Sequence, residues 1–196
     1  MYKRQRLARS ITFFVDVMTG IPSIVAGLFA FSLFTLIVGP KAFSGFSASV
    51  ALSVLMIPIV VRSSEEMLKL VPAELREAAY ALGVPKWLTV VKVVLPTALA
   101  GIVTGVMLAI ARVVGETAPL LLVAGFTDSV NYNLFDQRMM SLPVYVYTQL
   151  TQPGADTQDF FNRAWTGALS LILIVLLLNV LARLVARFFA PKMASR

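Results

Sequence analysis

The sequence predicts an all-α, polytopic bundle of transmembrane helices, and three observations carry that prediction. Hydrophobic residues make up 58% of the 196-residue chain, mean hydropathy is +0.83, and only 14% of residues are charged, a balance that suits lipid better than water. The apolar residues gather into four stretches, each near the roughly 20 helical residues that cross a bilayer's hydrocarbon. The seventeen Lys and Arg residues fall at the ends of these stretches instead of forming one stripe with interleaved aromatics. The net charge of +7 therefore fits a membrane surface and not a nucleic acid. With no internal repeat and no low-complexity linker, residues 1–196 read as a single membrane domain.

Residues 1–10 carry Lys3, Arg4, Arg6 and Arg9 without an acid, and an apolar segment runs from Ile11 to Val38. The basic start, the length of this segment and the lack of an Ala-x-Ala-like site argue against a cleaved signal peptide. Asp16 and Gly20-Ile21-Pro22 interrupt its first third, predicting an interfacial or kinked lead-in followed by a span over residues 21–38. Asp16 is then expected at the inner interface. Gly39-Pro40-Lys41 begins a short outer loop, and residues 46–64 return as the second span, which Pro58 is expected to bend. A polar loop over residues 66–92 follows, with Lys69, Arg76, Lys86 and Lys92. The third span is expected over 97–123, long enough to imply tilt or a break near Gly115 and Pro119. Residues 126–165 form an outer loop in which Asp128, Asp136, Asp156 and Asp159 face only Arg138 and Arg163. Its Ser141–Tyr147 stretch suits a short helix or a strand equally. Trp165 stands where an interfacial aromatic is expected, and residues 167–187 form the last span. Thirteen of the seventeen basic residues then lie on one side, three on the other, and Arg112 within a span. By the positive-inside rule both termini are cytoplasmic.

The polar loop has its own internal order. Pro72 suits the first turn of a helix, and Gly83 suits a left-handed cap at its end, leaving about three turns between them. Leu75, Ala78, Ala79 and Leu82 recur on one shallow apolar face, with Glu74, Arg76 and Glu77 off it. Such a face fits a groove on another protein, or serves as a solvated amphipathic connector. Pro85 opens a second helical piece through Trp87 towards Leu95, and Pro96 punctuates the entry to the third span.

Glu77-Ala78-Ala79, three residues, Gly83, nine residues, then Val93-x-Leu95-Pro96 resembles the EAA loop of ABC-importer permeases, with Val93 where isoleucine is commoner. That resemblance implies a MetI-like fold in which Glu77, Ala78, Ala79 and Gly83 belong to a coupling helix docked on an ATP-binding subunit.

Several chemistries are excluded by residue counts. The chain has no Cys and no His, which removes thiol and imidazole catalysis, disulfides and the usual zinc sites. No Gly-x-x-x-x-Gly-Lys-Ser/Thr loop occurs, so any ATP is bound by another chain. No catalytic, cofactor-binding or metal-binding residue is expected; Met139-Met140 reads as packing, and Asn179 as a hydrogen-bonding partner for a neighbouring helix.

Arg112 and Glu116 are the informative charges inside a span. On a straight helix they share a face with Gly101, Gly105 and Ala109, while Val103, Val106, Ile110 and Val114 lie opposite. Small residues let helices approach closely, so the charged face meets protein or a water-filled path. Intramembrane charges are functional candidates, and Arg suits an oxyanion because its planar fork donates paired hydrogen bonds. An intrahelical Arg112–Glu116 pair that stabilises a break at Gly115 accounts for the two residues equally well.

Gly20-Ile21-Pro22-Ser23-Ile24-Val25, Pro58-Ile59-Val60-Val61-Arg62, the EAA loop and Ala111-Arg112-Val113-Val114-Gly115-Glu116-Thr117-Ala118-Pro119 occur in this order. Together they resemble the phosphate-specific, PstA-type importer permeases from about Leu7 to Pro191. The resemblance implies a multi-pass protein of a bacterial or archaeal cell membrane with no enzymatic activity of its own. It implies that Arg62, Arg112 and Glu116 line a phosphate path, although Arg62 also reads as a positive anchor at the inner face. The implied partners are a homologous second permease, ATP-binding subunits, an extracytoplasmic phosphate-binding protein and membrane lipid. Permeases of this type usually carry two further spans ahead of this point, so the chain is expected to be a fragment, a misplaced start or a shortened product. Another oxyanion such as sulfate or molybdate, or a non-transporting anchor or sensor role, are the competing functions.

Overall fold

The computed structural model describes residues 2–39, 43–154 and 156–189, and among these there are helices and no strands. Lys41, Lys192 and Arg196, counted above for orientation, lie outside the described residues. The helices are α1 (Tyr2–Thr19), α2 (Ser23–Val38), α3 (Gly45–Lys69), α4 (Ala73–Ala81), α5 (Lys86–Thr89), a π segment (Val90–Val94), α6 (Leu95–Val114), α7 (Ala118–Val123), α8 (Leu142–Thr151) and α9 (Thr157–Phe189). Three helical runs are long and apolar enough to cross a membrane: Gly45–Lys69, Lys86–Val114 and Thr157–Arg187. A fourth is added if the bent pair Arg9–Thr19 and Ser23–Val38 counts as one span; its two parts meet at 104°. Gly20-Ile21-Pro22 makes that bend, because Pro22 (φ −58°, ψ 138°) caps α2 in an extended conformation that α1 cannot continue into.

Two compact units account for the chain. The first comprises Met1–Pro58 and Arg112–Leu176. Its core is built from small residues of α2 and α3 (Ala30, Ala48, Ala51) against Leu120, Val123 and Ala124 around α7, with Val144 of α8. Gly27 permits α2 to lie directly on α7, since a Cβ there would sit 2.7 Å from the Pro119 Cα. The start of α3 is stitched to the same core by hydroxyls and backbone. Ser44 N–H and the Ser47 hydroxyl both donate to the Val123 carbonyl, at 3.1 and 3.2 Å, and Ser47 is fully buried. Phe31–Phe43, Phe34–Phe46 and Phe46–Phe135 ring pairs, 5.1–5.8 Å between centroids, extend this packing outwards. The Ser141–Tyr147 stretch, left open between helix and strand, is helical: Ser141 lies extended before α8, and Pro143 stands in its first turn, where its missing N–H costs nothing. α9 begins at Thr157, so part of the expected outer loop 126–165 is helix and Trp165 lies within α9, 73% exposed.

The second unit comprises Ile59–Ala111 and Leu177–Arg196. Here Val71, Val94 and Ala98 form a small core with Met67, Leu68 and Ile102 packed on it. The helix entering the third span does not start after Pro96, as its proline suggested; it runs unbroken from Lys86. A proline crowds the carbonyl four residues before it and offers no N–H. The π segment absorbs both effects: Leu95 N–H donates to Val90 O, five residues back, which widens the turn ahead of Pro96. The Thr97 hydroxyl donates to the Val93 carbonyl at 2.6 Å.

Candidate functional site

The EAA stretch of the second unit forms a compact, capped helix. Pro72 (φ −53°, ψ 138°) occupies the N-cap of α4, one position earlier than the first-turn place expected for it. At the other end Gly83 adopts φ +78°, Gly83 N–H donates to Tyr80 O at 2.9 Å and Val84 N–H to Ala79 O at 3.0 Å. This is a Schellman cap, and it satisfies two carbonyls that a helix end otherwise leaves without partners. The expected left-handed glycine is thus in place.

Exposure divides the motif. Ala79 is buried, whereas Glu74, Leu75, Glu77, Ala78 and Leu82 are exposed, Leu82 at 83%. The apolar stripe is therefore split: Ala79 packs inwards, and Leu75, Ala78 and Leu82 remain as an outward apolar surface edged by two carboxylates. Trp87 and Leu70, at 68% and 71% exposed, add to the apolar surface of this unit. Arg76, which a projection of the helix leaves unassigned, points inwards. Its Nη2 donates to the Leu68 carbonyl in the last turn of α3 at 2.8 Å. Its position two turns past Leu68, across the Pro72 elbow, carries no local pattern, so sequence reasoning had no means of pairing them.

Arg62 lies on α3, in the second unit, with 45% of its side chain exposed. Its Nε is 3.3 Å from Glu66 and its Nη1 4.0 Å from Glu65, while Lys69 pairs with Glu65 at 2.6 Å. The acids three and four positions beyond Arg62 were the available signal for this ladder. They hold the guanidinium along its own helix.

Arg112 and Glu116 belong to the first unit, and the straight-helix projection fails for them. α6 ends at Val114; Gly115 N–H turns back to Arg112 O at 3.2 Å and Glu116 N–H to Val113 O at 3.1 Å, three-residue bonds that tighten the end. Glu116 thus lies in the break Gly115–Thr117 and not on the α6 face of Gly101, Gly105 and Ala109. The reason is local: glycine at 115 and proline at 119 flank a segment that cannot propagate α-helical bonds. The intrahelical Arg112–Glu116 pair, the alternative account of the two residues, is not formed among the described residues. Among the described residues neither side chain has an ion pair within 4.0 Å or a side-chain hydrogen bond. Arg112 is exposed and Glu116 half-buried, beside a Gly115 whose Cβ position meets only the Arg112 carbonyl, at 3.6 Å. A guanidinium has five donors, and among the described residues no carboxylate engages those of Arg112.

Of the other glycines expected on that face, Gly101 and Gly105 serve packing within the second unit: Met67 lies against the first and Ser63 against the second. No group of three or more acidic residues close enough to hold a metal ion occurs among the described residues.

Comparison with known proteins adds three findings. The family model described as "Binding-protein-dependent transport system inner membrane component" matches residues 1–195. The phosphate transport system permease protein PstA 1 of Mycobacterium tuberculosis is 51% identical over 191 residues, 97% of this chain and 61% of the relative. The PstA permease of Mycobacterium leprae is 50% identical over 95% of this chain and 60% of its own length. The chain therefore spans about three fifths of the length of these relatives. Among solved structures, an inward-facing MetNI methionine ABC transporter chain superposes with TM-score 0.76 at 24% identity, covering 97% of this chain and 79% of that one. This last likeness establishes the fold.

Proposed function

Because the chain belongs to the family of binding-protein-dependent transport system inner membrane components, and is accordingly a multi-pass membrane protein, we propose that it forms the path-lining and coupling part of a permease in an ATP-driven inorganic phosphate importer. The observation that carries the substrate is the 51% identity, over nearly the whole chain, to a protein named as a phosphate transport permease. The exposed Arg112 in the last turn of α6, just ahead of the helix break, supplies a chemistry that suits it.

Arg112 meets the anion with its planar fork, and Glu116, in the break that follows, limits how tightly the anion is held. Arg62 joins them on the path; its ladder with Glu65 and Glu66 neutralises it between passages and yields when an anion competes for the guanidinium. Glu77, Ala78, Ala79 and Gly83 make up the coupling helix. Leu75, Ala78 and Leu82 provide its outward apolar contact, and Ala79 and Gly83 set its seat and its end. The positive-inside count places this helix and both termini on the cytoplasmic side.

The working assembly, at the cell membrane of a bacterium or archaeon, adds a homologous second permease, ATP-binding subunits and an extracytoplasmic phosphate-binding protein. ATP is hydrolysed in the partner subunits, and their closure rocks the spans between inward- and outward-open states. This chain breaks no bond and needs no cofactor.

Radiolabelled phosphate uptake tests the reading, in cells without their own high-affinity system that express the assembled transporter. Uptake that requires the chain, disappears with Arg112→Gln while the complex stays assembled, and is excluded neither by sulfate nor by molybdate competitors meets the proposal. An assembled complex that moves sulfate or molybdate in place of phosphate refutes the substrate. One that transports normally with Arg112→Gln refutes the path.

A further inference from the structure

α3 and α4 are joined by a short elbow, Leu70–Pro72, and the last carbonyls of α3 have no partners within the helix. The chain could leave these to water. Instead Arg76, one turn into α4, reaches back across the elbow and donates its Nη2 to Leu68 O at 2.8 Å. A cation at a helix C-terminus is favoured by the helix dipole as well as by the hydrogen bond. Arg76 is half-buried, and its Nε lies out of solvent with no acceptor among the described residues. A buried donor left without a partner is unfavourable, so the position is not one a solvated surface arginine would adopt by default. Lys69, the ordinary basic residue of the last turn, is instead engaged with Glu65.

We infer that Arg76 is the positioning residue that locks the coupling helix to the end of α3, so that α4 and the Arg62-bearing half of α3 move as one lever. The inference rests on the reading of α4 as a coupling helix. On its inner side Ala79 and Arg76 grip the unit; on its outer side Leu75, Ala78 and Leu82 are presented to the partner. Force applied to the outer side reaches α3 through two routes, the backbone elbow and the guanidinium. Without the guanidinium only the elbow remains, and α4 swivels on Pro72 before α3 follows.

The test uses the assembled transporter in lipid nanodiscs, with Arg76→Met to remove the donor at similar length and Arg76→Lys to keep a charged one. Three quantities are read: binding of the ATP-binding subunit to the membrane subunits, ATPase stimulation by phosphate-loaded binding protein, and the distance distribution between spin labels at the exposed positions Lys69→Cys and Ala81→Cys. The absence of native cysteines in this chain makes those labels specific within it. The expected result is retained subunit binding, an about tenfold fall in stimulated ATPase and uptake for Arg76→Met, a broadened label distance, and partial recovery of all three in Arg76→Lys; tenfold matches the loss of one charge-assisted bond. An unchanged label distance with normal stimulation overturns the inference. Loss of subunit binding in both variants also overturns it, because Arg76 would then support the fold or the docking face. Failure of the coupling-helix reading registers separately: Glu77→Lys and Leu82→Asp would leave subunit binding and stimulation untouched, whatever Arg76 does to the label distance.

Discussion

Replacing Gly27 tests the close approach of α2 to α7. A Cβ built at Gly27 lies 2.7 Å from the Pro119 Cα, 3.2 Å from its Cβ and 3.3 Å from Leu122 Cδ1. Carbon atoms in favourable contact stand about 3.5–4.0 Å apart, so α2 and α7 must separate by roughly 1 Å, and the nearest obstacle is backbone, which cannot rotate away. Overpacking of this kind costs about 1–3 kcal/mol. Alanine in place of glycine regains about 1 kcal/mol of helix propensity, leaving Gly27→Ala destabilised by about 1 kcal/mol. Gly27→Val adds two methyls to the same gap and regains less propensity, so its loss is about 3 kcal/mol. For a domain of this size 1 kcal/mol corresponds to roughly 2–4 °C in Tm. Gly20→Ala is the matched control, since a Cβ there meets only the Val17 carbonyl at 3.5 Å. Thermal unfolding of the detergent-solubilised protein should rank parent and Gly20→Ala together, Gly27→Ala below them and Gly27→Val lowest. Gly27→Ala at or above the parent would refute the contact.

Substitutions at three further positions address a single bond, a backbone conformation and a donor. Ser47→Ala leaves the buried Val123 carbonyl with one donor fewer and should cost about 1–2 kcal/mol in the same unfolding experiment. Gly83→Ala places a Cβ at φ +78° in otherwise open space, so it should cost about 1 kcal/mol by backbone strain alone; Gly83→Asn, which tolerates that region, should recover most of it. Arg112→Lys keeps the charge but replaces the fork with a point charge. Phosphate uptake should fall about tenfold or more with assembly unchanged, and full activity in this variant would mean that charge alone suffices.

Much of this architecture was legible along the chain because it is governed by local chemistry and by the lipid solvent. The all-helical class, the bend at Gly20-Ile21-Pro22, the interruption near Gly115 and Pro119 and the left-handed Gly83 follow from what proline cannot donate and what glycine alone can adopt. These are properties of a few consecutive residues. The same local rules misjudged Pro96, because a π turn five residues wide absorbs a proline that an α-turn rejects. They also misplaced Glu116, since a helical projection assumes a straight helix and α6 stops two residues short of it.

What tertiary structure decided is which side of each element faces its own chain. Periodicity marked Leu75, Ala78, Ala79 and Leu82 as one stripe, but only packing within the folded unit determines that Ala79 is buried while Leu82 stays out. The Arg76 bond to Leu68, the Ser47 bond to Val123 and the Gly27 contact with Pro119 join residues whose separation in sequence carries no period. Residue order by itself determined the membrane solvent, the helical class and where the helices yield. The pairing of faces required the folded chain, because burial and contact depend on neighbours that sequence distance does not record.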